Sequence, residues 1–255
     1  MSEERKKWPR DHPQHKLNHP SFRQPVDPST KVWRYFDLPK FVWLLEHKEL
    51  FFPSLNMLAD PHEGANTKRY IELMNHFYAN QEHGEKLLAQ IREYSKDARK
   101  TMHVNCWNIG ESESEAMWRL YCPDSQGVAI QSTCEKLVAS VDDDPQVFIG
   151  CVIYLDYETE AISQGSLFDA VMQKRLSFSH EQEVRLVRWL GQDGAESNPN
   201  GISIKWPVAQ TVEHIYVDPY APEYFDDVVR SIVRRFEPEL ENRICWSQMR
   251  AVPLY

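Results

Sequence analysis

The sequence predicts an α+β fold: a single domain with mixed, mainly antiparallel sheets flanked by helices. Three observations predict it. Short runs rich in aromatic and β-branched residues, such as KVWRYF, HVNCW and QVFIGCVIYLDY, read as strands. Amphipathic segments lie among them, above all APEYFDDVVRSIVRRF, where Tyr224, Val228, Ile232 and Phe236 recur every four residues. The two kinds of element mix without strict β–α–β alternation, and no internal repeat is visible.

Residues 1–29 carry Pro9, Pro13, Pro20, Pro25 and Pro28 and little apolar periodicity. They read as a polar, proline-rich arm, and residues 30–255 as the single globular domain. An aromatic strand over 32–36 leads to Asp37-Leu38-Pro39, with Asp as N-cap and Pro in the first turn of a helix. LFFPS returns as a strand, and LADPHEG is a turn-rich loop. From Asn66 to Lys100 the spacing is helical, with Gly84 marking a break between two helices. HVNCW reads as a buried strand. Ser112 and Glu115 form a capping-box pair before a helix ending near Tyr121, and Ser132 with Glu135 repeats the signature after the strand GVAIQST. QVFIGCVIYLDY is the strongest strand. SLFDAVMQKRLSF reads as a helix, and strands follow at GISIKW and HIYVDP. The amphipathic helix and a last strand before VPLY complete the chain.

Composition narrows the function classes. With 42% hydrophobic and 26% charged residues, the 255-residue chain is an ordinary soluble one, long enough for a substantial core. A net charge of −9 argues against general nucleic-acid binding, which depends on neutralising phosphates. No apolar run approaches the roughly 20 residues that span a bilayer. The charged N-terminus lacks the apolar stretch of a secretory signal. Five widely spaced cysteines without a CxxC pair fit a reducing cytoplasm better than a disulfide framework, and they give no zinc site. His12, His15 and His19 cluster in the arm only as a feature of composition. Glycine-rich phosphate loops, GxSxG elbows and HExxH helices are absent.

The candidate chemistry lies in small polar groups among aromatics. In FSHEQEVRLVRWL, strand alternation puts Glu181, Glu183 and Arg185 on one face, neighbours about 7 Å apart, with Val184 and Leu186 opposite. Such an acidic pair is either a solvated sheet face or a catalytic device. Two carboxylates can act at a glycosidic bond, one of them stabilising the oxocarbenium character that develops. The nicotinamide–ribosyl bond of NAD is of this type. Arg34 in WRYF has five donors to satisfy, by a structural ion pair or by a phosphate. In DPHEG, Asp60, Pro61 and Gly64 are turn chemistry, while Glu63 is not required by the turn and is a candidate partner for Arg34. Trp107, Trp118 and Tyr121 read first as core, and their polar tips also suit the wall of a pocket for a flat ring.

WRYF, DPHEG, CW…ES…MWRLY…GVAI, HEQEVRLV and IYVDPYAP occur in one order. In this the chain resembles the bacterial domain-of-unknown-function 2971 family from about residue 31 to residue 255. That likeness implies little about activity, although some members are associated with abortive infection and phage-defence loci.

A second resemblance concerns mechanism. Arg34, then Ser132-Thr133 at a strand end, then Glu181-Gln182-Glu183 is similar to the order of site residues in mono-ADP-ribosyltransferases. It implies an ADP-ribosyltransferase-like core with NAD as donor substrate, no metal, and a protein, nucleic acid or water as acceptor. Glu183 would bond the ribose hydroxyl and Glu181 would guide the acceptor. Arg34 would hold the phosphates and Ser132 would support the site, with Tyr35, Trp107, Trp118 and Tyr121 lining the pocket. Cys134 departs from the Ser-Thr-Ser pattern of that superfamily, and Ser132 has a sufficient role as an N-cap.

Two other readings stand beside this one. Asp60, Glu63, Glu181 and Glu183 could instead ligate Mg²⁺ in a nuclease or phosphoesterase. In the third reading the chain is a non-enzymatic module of a defence complex, with structural carboxylates and a partner protein on the 222–237 helix.

Overall fold

The structure is a computed structural model that describes residues 16–162, 165–191 and 200–253. Residues 1–15, with His12 and His15, and the last two residues of VPLY lie outside the described residues. The elements in chain order are β1 (Lys31–Asp37), α1 (Leu38–His47), β2 (Glu49–Pro53), α2 (Lys68–Tyr78), α3 (Gly84–Thr101), β3 (Met102–Ile109), α4 (Glu115–Tyr121), β4 (Gly127–Thr133) and α5 (Cys134–Ser140). There follow β5 (Val147–Cys151), β6 (Ile153–Leu155), α6 (Leu167–Val171), β7 (Gln173–Arg175), β8 (Glu183–Trp189), β9 (Gly201–Lys205), α7 (Val208–Thr211), β10 (His214–Val217), α8 (Tyr224–Phe236) and β11 (Ile244–Trp246). The fold is α+β; β1 pairs antiparallel with β3 and β4, β4 with β10 and β5 with β8, while β10 pairs in parallel with β11. The chain forms two compact units: Pro25–Leu50, Cys106–Asp143 and Ser203–Tyr255 in one, and Met1–Gln24, Phe51–Asn105 and Asp144–Ile202 in the other.

In the first of these units the strands run β11-β10-β4-β1-β3. β1 pairs antiparallel with β4 along its whole length, from Lys31 opposite Thr133 to Asp37 opposite Gly127. β10 and β11 are parallel and therefore need a crossover, which α8 supplies. Asp37 caps α1 as expected, its carboxylate accepting the Lys40 N–H at 2.9 Å, with Pro39 in the first turn. The two Ser-x-x-Glu signatures are each displaced. Ser114, not Ser112, caps α4, and Thr133, not Ser132, caps α5. In both cases the capping residue is the one immediately before the first helical residue, in extended conformation, where its oxygen reaches the N3 amide. α8 buries Phe225, Val229 and Val233, one residue along from the expected stripe; Tyr224 is 61% exposed. Two stripes one residue apart lie about 100° apart around a helix, and only packing chooses between them.

The second unit is centred on β5 and β8, antiparallel from Val147 opposite Arg188 to Cys151 opposite Val184, with β3 beyond β8. Part of the expected proline-rich arm is packed here. Phe22 is 2% exposed and stacks on Phe148 at 5.1 Å, and Arg23 bridges to Cys151 at the edge of β5. Gly84 opens α3 after α2, as the sequence indicates. SLFDAVMQKRLSF is not one helix. Ser166 and Asp169 form a capping box for the one-turn α6, β7 then pairs in parallel with β6, and a 3₁₀ turn spans Leu176–Glu181. Strand pairing overrides the local helical pattern. Among the described residues, no helix is long and apolar enough to cross a membrane.

Candidate functional site: a buried charge cluster

The DPHEG loop, β7, the 3₁₀ turn and the start of β8 bring five ionisable side chains together within one unit. In the loop, Asp60 accepts the His62 N–H at 3.0 Å and Gly64 takes φ +71°, so the turn chemistry read from the sequence is present. The same turn buries Glu63, which is 3% exposed. At the other side of the cluster, Gln182 adopts a left-handed conformation at φ 38°. The strand therefore begins at Glu183, and Glu181 ends the 3₁₀ turn instead of sharing a strand face. Glu183 and Arg185 do alternate as expected. Arg185 is 0% exposed, however, so this face of β8 is as buried as the face carrying Val184 and Leu186.

Lys174 is the hub. Its Nζ donates to Glu181 Oε2 at 2.6 Å and Glu183 Oε1 at 2.8 Å, and lies 3.0 Å from Glu63 Oε1. Arg185 closes the ring. Its Nε and Nη2 donate to Glu183 Oε2 at 3.0 and 2.7 Å, and its Nη1 to Glu63 Oε2 at 3.0 Å and the Val171 carbonyl at 2.7 Å. The Tyr154 hydroxyl oxygen accepts the Glu183 N–H at 2.8 Å. Next to the ring, Arg175 grips both oxygens of Asp60 at 2.8 and 3.2 Å. The Phe178 ring, on the 3₁₀ turn, sits 4.8 Å from Lys174 Nζ.

Three carboxylates and two cations removed from water would each be costly alone; mutual pairing offsets that cost. Burial pushes Glu181 up to about 7, and its hydrogen bond with Glu183 pushes the same way, against Lys174. Burial also acts to raise Glu183, but Arg185, the hydrogen bond from Glu181 and Lys174 outweigh it and hold Glu183 well below the usual carboxylate range. Near neutrality Glu183 is thus a fixed anion, while Glu181 is poised between its two forms. Burial lowers Lys174, and Glu183 and Glu63 more than reverse this, so it stays an ammonium.

The metal-ligand set Asp60, Glu63, Glu181, Glu183 is engaged otherwise. Lys174 Nζ stands between three of these carboxylates, and Arg175 holds the fourth. Among the described residues no group of three His, Cys, Asp or Glu side chains is arranged to hold a metal ion.

The other candidate residues belong to the other unit. Arg34 donates from Nη1 to the Cys106 carbonyl at 2.5 Å and lies over the Phe36 ring at 5.4 Å. Ser132 is fully buried and donates to the Thr211 carbonyl at 2.6 Å. Tyr35 and Trp118 meet edge to face at 5.0 Å in a core cluster with Trp33, Met117 and Tyr216. Tyr35 Oη accepts the Ser114 N–H and Trp118 Nε1 donates to Glu113. Trp107 is 1% exposed and packs on Trp206, whereas Tyr121, at the end of α4, is 46% exposed. The structure thus brings together Glu181 and Glu183, through Lys174, and separately Tyr35 and Trp118.

Sequence reasoning missed Lys174 and Tyr154. Lys174 falls in a segment whose sequence reads as a helix. The available signal was a Lys-Arg pair close to apolar residues in VMQKRL, seven residues before Glu181.

No match exists among curated proteins or among solved structures. One family model does match, over residues 117–186, which include Lys174, Glu181, Glu183 and Arg185; its description is "Protein of unknown function (DUF2971)". That segment of the chain is similar to this family of unknown function.

Proposed function

We propose that the chain is an ADP-ribosyltransferase-like enzyme that breaks the nicotinamide–ribosyl bond of NAD and transfers ADP-ribose to a macromolecular acceptor. The observation that carries the reading is the divided protonation of Glu181 and Glu183 around one lysine. Neighbouring carboxylates driven apart in this way take different roles at a glycosidic centre. Glu183, a permanent anion, stabilises positive charge at C1′ as the C1′–N bond breaks and its electron pair leaves with neutral nicotinamide. Glu181 accepts the proton of the attacking acceptor O–H or N–H as the new C1′ bond forms, a task suited to a base poised near neutral pH. NAD as donor rests on the order Arg34, Ser132, Glu181-Gln182-Glu183. Both carboxylates are under a tenth exposed, so substrate reaches them only once the side chains that cover them move aside. The activity belongs to the cytoplasm, with phage defence as its biological setting.

A second reading, a non-enzymatic module, is favoured by one observation. Lys174 Nζ already serves three carboxylates and both oxygens of Glu183 are occupied, as a purely structural clamp requires. Labelled NAD with purified protein and cell lysate separates the two. Transfer of label, lowered about 10²–10³-fold in Glu183→Gln, supports the enzyme. No NAD turnover by folded wild-type protein leaves the structural reading.

A further inference from the structure

We infer that the α2–α3 hairpin is a self-association face that docks on the same hairpin of a second copy of this chain. α2 carries Tyr70, Ile71, Leu73, Met74, Phe77 and Tyr78 within 11 residues, yet none of its residues is buried. A helix this short is marginal in water unless its apolar face is covered. α3 covers only part of it: Tyr70, Met74 and Tyr78 are half-buried, while Ile71, Leu73 and Phe77 are 43%, 41% and 61% exposed. On α3, Leu87 and Tyr94 are 38% and 45% exposed, with Ile91 between them, a four-three spacing of the kind that seams paired helices. The helices are consecutive and joined by residues 79–83. Helical geometry then brings the flank with Leu73 and Phe77 and the flank with Leu87 and Tyr94 to the same side of the hairpin.

Charge selects the occupant. Signs are mixed along the hairpin and partly cancelled in Arg69–Glu72, Lys96–Glu93 and Lys100–Asp97 pairs, which suits neither nucleic acid nor an anionic membrane. The ends of α3 differ in sign. Residues 82–86 hold Glu82, Glu85 and Lys86, net −1, and residues 96–100 hold Lys96, Asp97, Arg99 and Lys100, net +2. Antiparallel packing across a two-fold axis sets each acidic end against the partner's basic end, as a self-complementary interface requires.

The test is mass in solution by light scattering or sedimentation. Wild-type protein is expected to move from 30.0 kDa towards twice that mass as concentration rises; for an interface of modest size this falls between about 1 and 100 µM. Phe77→Glu and Leu87→Glu, at exposed positions, are expected to stay monomeric with unchanged circular dichroism. Reversing only one end (Glu82→Lys with Glu85→Lys) weakens the dimer. Reversing the other end as well (Lys96→Glu with Lys100→Glu) restores it, a rescue that misfolding cannot imitate. A wild-type monomer throughout that range, dimers unaffected by Phe77→Glu, or hairpin-dependent binding to phosphatidylserine vesicles by a monomer would each overturn the inference.

Discussion

Glu181 and Glu183 hold the same ammonium, Lys174 Nζ, at 2.6 and 2.8 Å, yet their carboxyl groups are driven in opposite directions. The difference arises from Arg185. Its guanidinium grips Glu183 Oε2 from two nitrogens and Glu63 from a third, so Glu183 is bonded by both Lys174 and Arg185. The left-handed Gln182 between them turns Glu181 out of the strand and onto the far side of the lysine. Two neighbouring glutamates of identical intrinsic acidity thereby become a fixed anion and a titrating acid.

Removing the hub is the most direct test of this arrangement. Lys174→Met leaves Glu63, Glu181 and Glu183 close together without the ammonium that all three bond. A broken buried ion network of this kind costs about 3–5 kcal/mol. Urea unfolding at neutral pH should show that loss, and it should shrink when Glu183→Gln is added, since one uncompensated charge is then gone. A Lys174→Met protein as stable as wild type would mean that the cluster does not hold the fold together.

The titration of Glu181 fixes a pH signature. Its folded value, about 7, lies above the ordinary 4.5, so between these pH values the folded state keeps a proton that the unfolded state has released. Stability from this group is therefore complete below about pH 4.5 and falls as pH rises towards 7, by at most about 3 kcal/mol once solvent screening is allowed for. Glu183 acts in the reverse sense: its stabilisation is present above about pH 4.5 and is lost as pH falls towards its depressed folded value. Glu181→Gln, which mimics the protonated form, should flatten the decline between pH 4.5 and 7 in unfolding curves. An unchanged slope would show that another group titrates there.

Local signals carried much of the fold. The Asp37 cap, the Gly84 break and the parity of Val184 and Leu186 were legible because each depends on neighbours in sequence. The errors share the opposite origin. β7 is a strand only because β6 lies beside it, and α8 turns Phe225 inward, not Tyr224, because of what it packs against. The cluster was half visible. Glu63 stood out as a residue its turn did not need, and its partners, Lys174 and Arg185, lie more than a hundred residues away. An isolated window shows a Lys-Arg pair next to apolar residues, but not the three separate segments that converge on that lysine.

The two tyrosines near the cluster should respond differently to loss of their hydroxyls. Tyr154 Oη is the acceptor of the Glu183 N–H. Tyr154→Phe orphans that amide and should cost about 1–3 kcal/mol. The buried Tyr157 hydroxyl bonds no protein group among the described residues, so Tyr157→Phe should cost less than about 0.5 kcal/mol. Chemical denaturation of both variants checks the contrast, and equal losses would contradict it.

The packed part of the N-terminal arm depends on a single glycine. A Cβ at Gly150 would stand 2.7 Å from Phe22 Cα and 2.8 Å from its carbonyl carbon, backbone atoms that cannot rotate away. The arm runs here against the edge of β5. Cys151 N–H donates to the Arg23 carbonyl at 2.7 Å, and the Gln24 side chain donates to the Ile149 carbonyl at 2.6 Å. Gly150→Ala must therefore push the arm off the strand or bend the strand beneath it, at about 1–3 kcal/mol. Phe22→Ala empties the slot between Phe148 and Phe168 and should cost about 3–5 kcal/mol. Both changes release Arg23, so limited trypsin digestion should cut after it far sooner than in wild type, while the rest of the chain persists. If Gly150→Ala leaves cleavage at Arg23 as slow as in wild type, the arm is not held by this contact.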